Sequence, residues 1–211
     1  MKTIFILSAL VVLSIHSFGQ ANNPYNQRGI DYVTSLKMIS SDYQSGRVTS
    51  LNQESIDYYS RTIPLQVTVS TDLVASIVKT IKAPGFNLVD FIGNCKASAF
   101  VKKSLIDLYN NSQNLKTRDF HAYLSSAAEA IKASRVSEEE KEIVLTNLAF
   151  ADNASRSPCT IQGGGGGSIP MGTGTCAILG AIGGFVTGLE ICGIWCGVGG
   201  AIIGAVVFSL C

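Results

Sequence analysis

Six cysteines offer the most definite chemistry in this 211-residue chain: Cys95, Cys159, Cys176, Cys192, Cys196 and Cys211. An even number of thiols in an oxidising compartment predicts disulfides, and spacing alone assigns no pair among six. Cys192 and Cys196 lie four apart, on one face of any helix that contains both, and Cys176 lies in the preceding apolar arm. A bridge between the arms would pre-order a short hairpin; reduced, the same residues are small apolar side chains. A tetrahedral metal site needs closely paired ligands, yet the chain has no C-x2-C and His121 is the one histidine beyond the amino-terminal segment. Neither metal nor cofactor is expected. Cys95, His121 and Asp119 supply the residue types of covalent catalysis, but no local signature surrounds them, so the chain is not read as an enzyme. Gly163 to Gly167 lacks the Gly-Lys-Ser/Thr ending of a phosphate loop and reads as a linker.

The second informative set is a pattern of small residues. From Gly163 to Cys211 there is no Lys, Arg, His or Asp, and Glu190 is the single acid. Gly180, Gly184 and Gly188 repeat at four-residue steps; Gly193, Gly197, Ala201 and Ala205 continue the step in the second arm, with Gly204 beside them. In a water-exposed helix each glycine costs roughly 1 kcal/mol relative to alanine. In lipid the same stripe lets helices approach closely, so these residues are candidate membrane-packing positions. Ile191 to Cys211 is a 21-residue stretch without a charge, long enough to cross a hydrocarbon core of about 30 Å as one helix. A bend near Glu190 makes the segment a helical hairpin, with Glu190 at the turn or lining a pore. The competing arrangement buries the hairpin inside the preceding domain, held there by the cysteines.

These residues need elements to position them. Residues 1–20 carry Lys2 and the apolar run Ile4 to Ile15, followed by small residues, the pattern of a cleavable signal peptide and hence of a secreted or cell-envelope protein. Without Lys2, basic and acidic residues balance at fifteen each, so no electrostatic case for nucleic acid exists. Residues 21–151 read as a helical domain. Ile30, Val33 and Leu36 recur at helical spacing, and Leu65, Val67 and Val69 lie in an extended linker. Leu73, Val74, Ile77, Val78 and Ile81 form one helix face ended by Pro84-Gly85; Leu88 to Leu108 gives one or two more, closing at Asn110-Asn111. Thr117 caps a helix that buries Phe120, Tyr123, Leu124, Ala127 and Ile131, and Ser137 with Glu140 forms a capping box ahead of Ile143 to Leu148. Residues 152–170 are a polar, then glycine-rich linker, and 171–211 the hydrophobic hairpin. The expected class is all-α: signal peptide, small helical domain, flexible glycine-rich linker and a carboxy-terminal glycine-zipper hairpin.

This layout, ending in the cysteine-bearing apolar peptide Cys176-Ala177-Ile178-Leu179-Gly180 through Cys211, resembles secreted bacteriocin-like precursors, in particular the sporulation-delaying toxin precursors and halocin-like peptides. The resemblance is architectural and is carried by the last 50 or so residues. It implies release of the terminal peptide by a processing protease, damage to competitor membranes, and restraint or immunity supplied by the middle region or by an immunity protein. The chain departs from many membrane toxins in having no basic residue after Arg156, so insertion would rest on apolar burial.

The function expected from the sequence is therefore an exported bacteriocin-like precursor whose terminal peptide inserts into or permeabilises a lipid membrane. The alternative is a non-toxic envelope protein, anchored or joined to copies of itself through the glycine stripes. A third arrangement, a secreted binding module with a buried hairpin, predicts an intact, soluble monomer.

Overall fold

The computed structural model describes residues 23–50, 52–65, 69–157 and 175–209, with side chains through the hairpin at 177–191 and 193–206. The expected signal peptide at residues 1–20, the Gly163 to Gly167 run, Val67, Cys159 and Cys211 lie outside the described residues. Among those described, nine α-helices and no strand are present.

Seven helices form a shell. α1 (Asn26–Gln44) buries Tyr32, Val33, Leu36 and Ile39, one stripe at three- and four-residue steps. α2 (Gln53–Thr62) starts in a reciprocal capping box of Asn52 and Ser55 and buries Ile56 and Tyr59. α3 (Thr71–Ile81) is capped by Ser70 and turns Leu73, Val74, Ile77 and Ile81 inward, the face expected from the sequence. The apolar series from Leu88 resolves into two helices, α4 (Leu88–Asn94), capped by Asn87, and α5 (Ala99–Asn114), capped by Ser98. α5 runs past the expected stop at Asn110-Asn111, whose asparagines stay helical. Asn111 and Asn114 turn their side-chain amides onto carbonyls one turn back.

α6 (Thr117–Ala133) buries Phe120, Leu124, Ala128 and Ile131; Thr117 is its first residue, and the residue at the cap is Lys116, which makes no side-chain cap bond. Ser137 and Glu140 close the expected capping box on α7 (Glu138–Arg156). The Glu140 carboxyl lies below its ordinary pKa because it accepts from the Ser98 hydroxyl and from the hydroxyl and N–H of Ser137. α7 continues through Asp152 to Arg156, where composition suggested a polar linker. Asp152 is buried there and accepts from Arg156 one turn later at 3.0 Å, which keeps the last turns helical.

The remaining two helices fill the shell. α8 (Thr175–Cys192) and α9 (Ile194–Ser209) form an antiparallel hairpin that packs mainly on itself, with α7, α3, α5 and α4 against α8 and α3 and α1 against α9. One hydrophobic core runs through both parts: Tyr32, Leu105, Leu124 and Phe150 from the shell share it with Ile182, Phe185, Val198 and Ala205 from the hairpin. A helix that is apolar on every face is stable only in a protein core or a membrane. Here α8 and α9 occupy the core.

Candidate functional site

The hairpin is the chemically distinctive region, and glycine sets its geometry. A Cβ on Gly180 would fall on the backbone of Gly204 and Ala205, one on Gly184 on the carbonyl of Gly200, and one on Gly188 on the carbonyl of Cys196. The expected stripe on α8 is therefore a real contact surface, and its partner is the second arm of the same chain. On α9 the facing backbone is that of Cys196, Gly200, Gly204 and Ala205; Gly204 and Ala205 were expected, whereas Cys196 and Gly200 stand one position before the expected Gly197 and Ala201. Gly200 was missed, although Gly200-x3-Gly204 stands in the sequence as plainly as its counterpart on α8.

Gly197 instead faces the ring of Phe185, where a Cβ would meet ring carbons at 3.1 Å, and Ala201 is fully buried. Gly193 is not a packing residue. Its φ of 86° places it in the left-handed region with open space around it, so it makes the turn between the two helices. Its N–H donates to the Leu189 carbonyl at 3.1 Å, and its own carbonyl accepts from Gly197 at 3.0 Å.

Glu190 sits in the last turn of α8, exposed, and accepts the backbone N–H of Lys96 at 3.1 Å. It fastens the hairpin tip to the segment between α4 and α5 and does not face an enclosed channel. The second expectation that changes is the membrane span. The turn at Gly193 divides the apolar stretch, leaving α9 with 16 residues, about 24 Å, and α8 with 18, about 27 Å. Among the described residues, no helix is long and apolar enough to cross a membrane.

At its other end the hairpin is tied to the shell by Tyr32, whose hydroxyl donates to the Ala177 carbonyl at 2.8 Å in a buried site. An aromatic chain supports this contact. Tyr32 stacks on Phe150 with ring centroids 4.6 Å apart, and Phe150 meets Phe185 edge-on at 6.5 Å, linking α1, α7 and α8. α1 can lie this close to α7 because Gly29 has no Cβ to strike the Ala149 carbonyl.

Of the cysteines, Cys95 is 4% exposed and free, packed in the shared core, so it is a small hydrophobe and not half of a bridge. Cys196 packs against the apolar cluster that holds Leu73, Ile77 and Ile203 and is not a free thiol. Cys176 and Cys192 lie in the first and last turns of α8.

The residues considered for catalysis are not assembled. His121 Nδ1 is 2.8 Å from Asp152, not paired with Asp119, which sits beside Arg118 on the exposed surface. Asp152 also accepts from Arg156, and among the described residues no hydroxyl or thiol hydrogen-bonds His121. The cluster fastens α6 to the end of α7. Among the described residues no group of three or more metal-binding side chains converges. Compared with protein-family models, with curated proteins and with solved structures, the chain matches none of them.

Proposed function

We propose that the chain is an exported, bacteriocin-like precursor in which the helical shell (23–157) keeps a membrane-active hairpin (175–209) soluble until cleavage within 158–174 releases it. The observation that carries this reading is the enclosure of a hairpin apolar on all faces by helices that are each polar on the outside. Fully burying a side chain such as Phe185 or Ile182 is worth about 1.5–3 kcal/mol, and the hairpin buries eight of that kind, Ile178, Ile182, Phe185, Val186, Val198, Ile202, Ile203 and Val206. A hairpin leaving the shell therefore passes to another apolar phase, and a lipid bilayer is the one available outside a cell. Its helices are shorter than the hydrocarbon core, so insertion thins and perturbs the bilayer. Partners in this reading are the lipid membrane, a processing protease and an immunity protein.

The envelope-protein alternative uses the glycine stripes to join copies of the chain. Within this hairpin Gly180, Gly184 and Gly188 are already in contact with the second arm, which favours the precursor.

Two measurements test the proposal. Intact mass spectrometry of the producer's secreted fraction is expected to find a fragment of about 50 residues starting within 158–174, and the oxidised 159–211 peptide is expected to empty dye-loaded vesicles. Full-length mature chain as the sole secreted species, together with a peptide that leaves vesicles intact, would contradict it.

A further inference from the structure

The two ends of the hairpin are held differently. At the base the Tyr32 hydroxyl bonds the Ala177 carbonyl inside the core. At the tip, on either side of the Gly193 turn, Trp195 is 55% and Ile191 50% exposed. Three helices meet there on Arg28. Its guanidinium, in the first turn of α1, lies over the Trp195 ring, 4.9 Å from the centroid, and over the Tyr25 ring at 4.6 Å. Its nitrogens donate to Glu142 at 2.7 Å and to Thr146 at 3.0 Å, one turn apart on α7. Thr146 is buried and the Arg28 side chain is largely covered, so α7 fixes the edge of the guanidinium while the aromatic rings take its face. The charge of Arg28 is thereby matched by Glu142. The other tie at the tip is the Lys96 N–H donated to Glu190, also at the surface.

We propose that Arg28 is the latch of an autoinhibitory contact: by holding Trp195 against α1 and α7 it keeps the hairpin tip closed, and the hairpin leaves its shell tip first when this contact opens. The inference rests on the precursor reading for its purpose, and it names the contact that restrains the hairpin. The base cannot lead, because Ala177 is bonded and packed in the shared core, next to the chain of Tyr32, Phe150 and Phe185. The tip can, because both of its ties lie at the surface, where a local opening leaves the core packed. Arginine suits this task better than lysine. A flat guanidinium bonds α7 with its edge and covers an indole with its face at the same time, whereas an ammonium is a point charge that does one or the other. Cleavage within 158–174 cuts the covalent tether and touches neither tie at the tip, so the latch sets how soon the cut hairpin departs.

Amide hydrogen exchange of the uncleaved mature protein, without lipid, tests the latch. In the wild type the amides of 189–197 are expected to exchange before those of 178–186. Arg28→Ala is expected to speed exchange at 189–197 about tenfold and to leave α5, which does not meet Arg28, unchanged. Arg28→Lys is expected to resemble Arg28→Ala more than the wild type. Trp195→Ala, at an exposed position, is expected to loosen the tip to the same degree, and the double variant to add nothing to either change, since both remove one contact. If Arg28→Ala does not fold, Trp195→Ala and Arg28→Lys carry the same comparison. A tip that exchanges after 178–186 in the wild type, a tip indifferent to these substitutions, acceleration that is equal at the tip and in α5, or effects of Arg28 and Trp195 that multiply in the double variant would overturn the latch. Dye release separates the two ideas. A tip loosened by Arg28→Ala, with vesicles left intact after cleavage, would defeat the precursor reading alone, and leakage after cleavage with a tip indifferent to Arg28 would defeat this inference alone.

Discussion

The shell and the hairpin are both helical, but different features hold them. Each shell helix presents one apolar stripe inward and a polar face outward, and most begin at a side-chain cap, such as Asn52, Ser70, Asn87, Ser98 or Ser137. Between Ala177 and Val206 the hairpin has one hydroxyl, Thr187, which bonds back to the Gly183 carbonyl, and one carboxylate, Glu190, at its exposed end. The shell helices carry their own interface with water, while the hairpin depends on what surrounds it. The comparison teaches that the hairpin's fold is a property of the enclosure, and that a change of surroundings is what would free it.

The largest expected effect lies at the glycine contact. Gly184→Val sets side-chain atoms on the Gly200 carbonyl, where only backbone can yield, so a loss of about 4 kcal/mol or more is expected, or failure to fold. Chemical denaturation measures it, and a near-neutral result would show that the arms can separate without cost. Next comes the link between the two regions. Phe150→Ala removes the ring between Tyr32 and Phe185 and is expected to lose about 3 kcal/mol. If the hairpin were held independently of the shell, its amide exchange would not change in this variant. Gly193→Ala is expected to cost only about 1 kcal/mol, because its φ of 86° strains an alanine while the space around it is open. A loss as large as that of Gly184→Val would mean that the turn, not the stripe, organises the hairpin.

The smallest effect belongs to the shell alone. The folded state holds the Glu140 carboxyl below its ordinary range. Its contribution is therefore present above the unfolded pKa and lost as pH falls through the folded one. The Tm gap between wild type and Glu140→Gln is expected to be constant above about pH 5 and to close in more acid solution. A gap that widens on acidification would invert the assignment.

Much of the shell was legible. The inward face of α3 follows from Leu73, Val74, Ile77 and Ile81 at helical spacing, and the start of α7 from Ser137 and Glu140. α2 was not, because Ile56 and Tyr59 are too few to mark a stripe in ten residues. The end of α7 was misread because Asp152 and Arg156 look like linker residues until their side chains meet, with His121 across the gap. In the hairpin the glycine step was legible, but not its phase on α9. Gly197 and Gly200 are equally small and both meet α8, Gly197 at the Phe185 ring and Gly200 at the Gly184 backbone, a division that spacing alone does not show. Nor could composition distinguish enclosure from insertion, since a helix apolar on all faces has the same sequence in a protein core and in a bilayer.

The most direct test of the central claim places a specific protease site within 158–174 of the full mature chain and follows dye release from vesicles before and after cleavage in the same sample. The account predicts intact vesicles until the protease is added, and leakage that tracks cleavage, with the hairpin fragment recovered in the lipid. Complete cleavage with no leakage, and the hairpin still bound to its shell in solution, would contradict it.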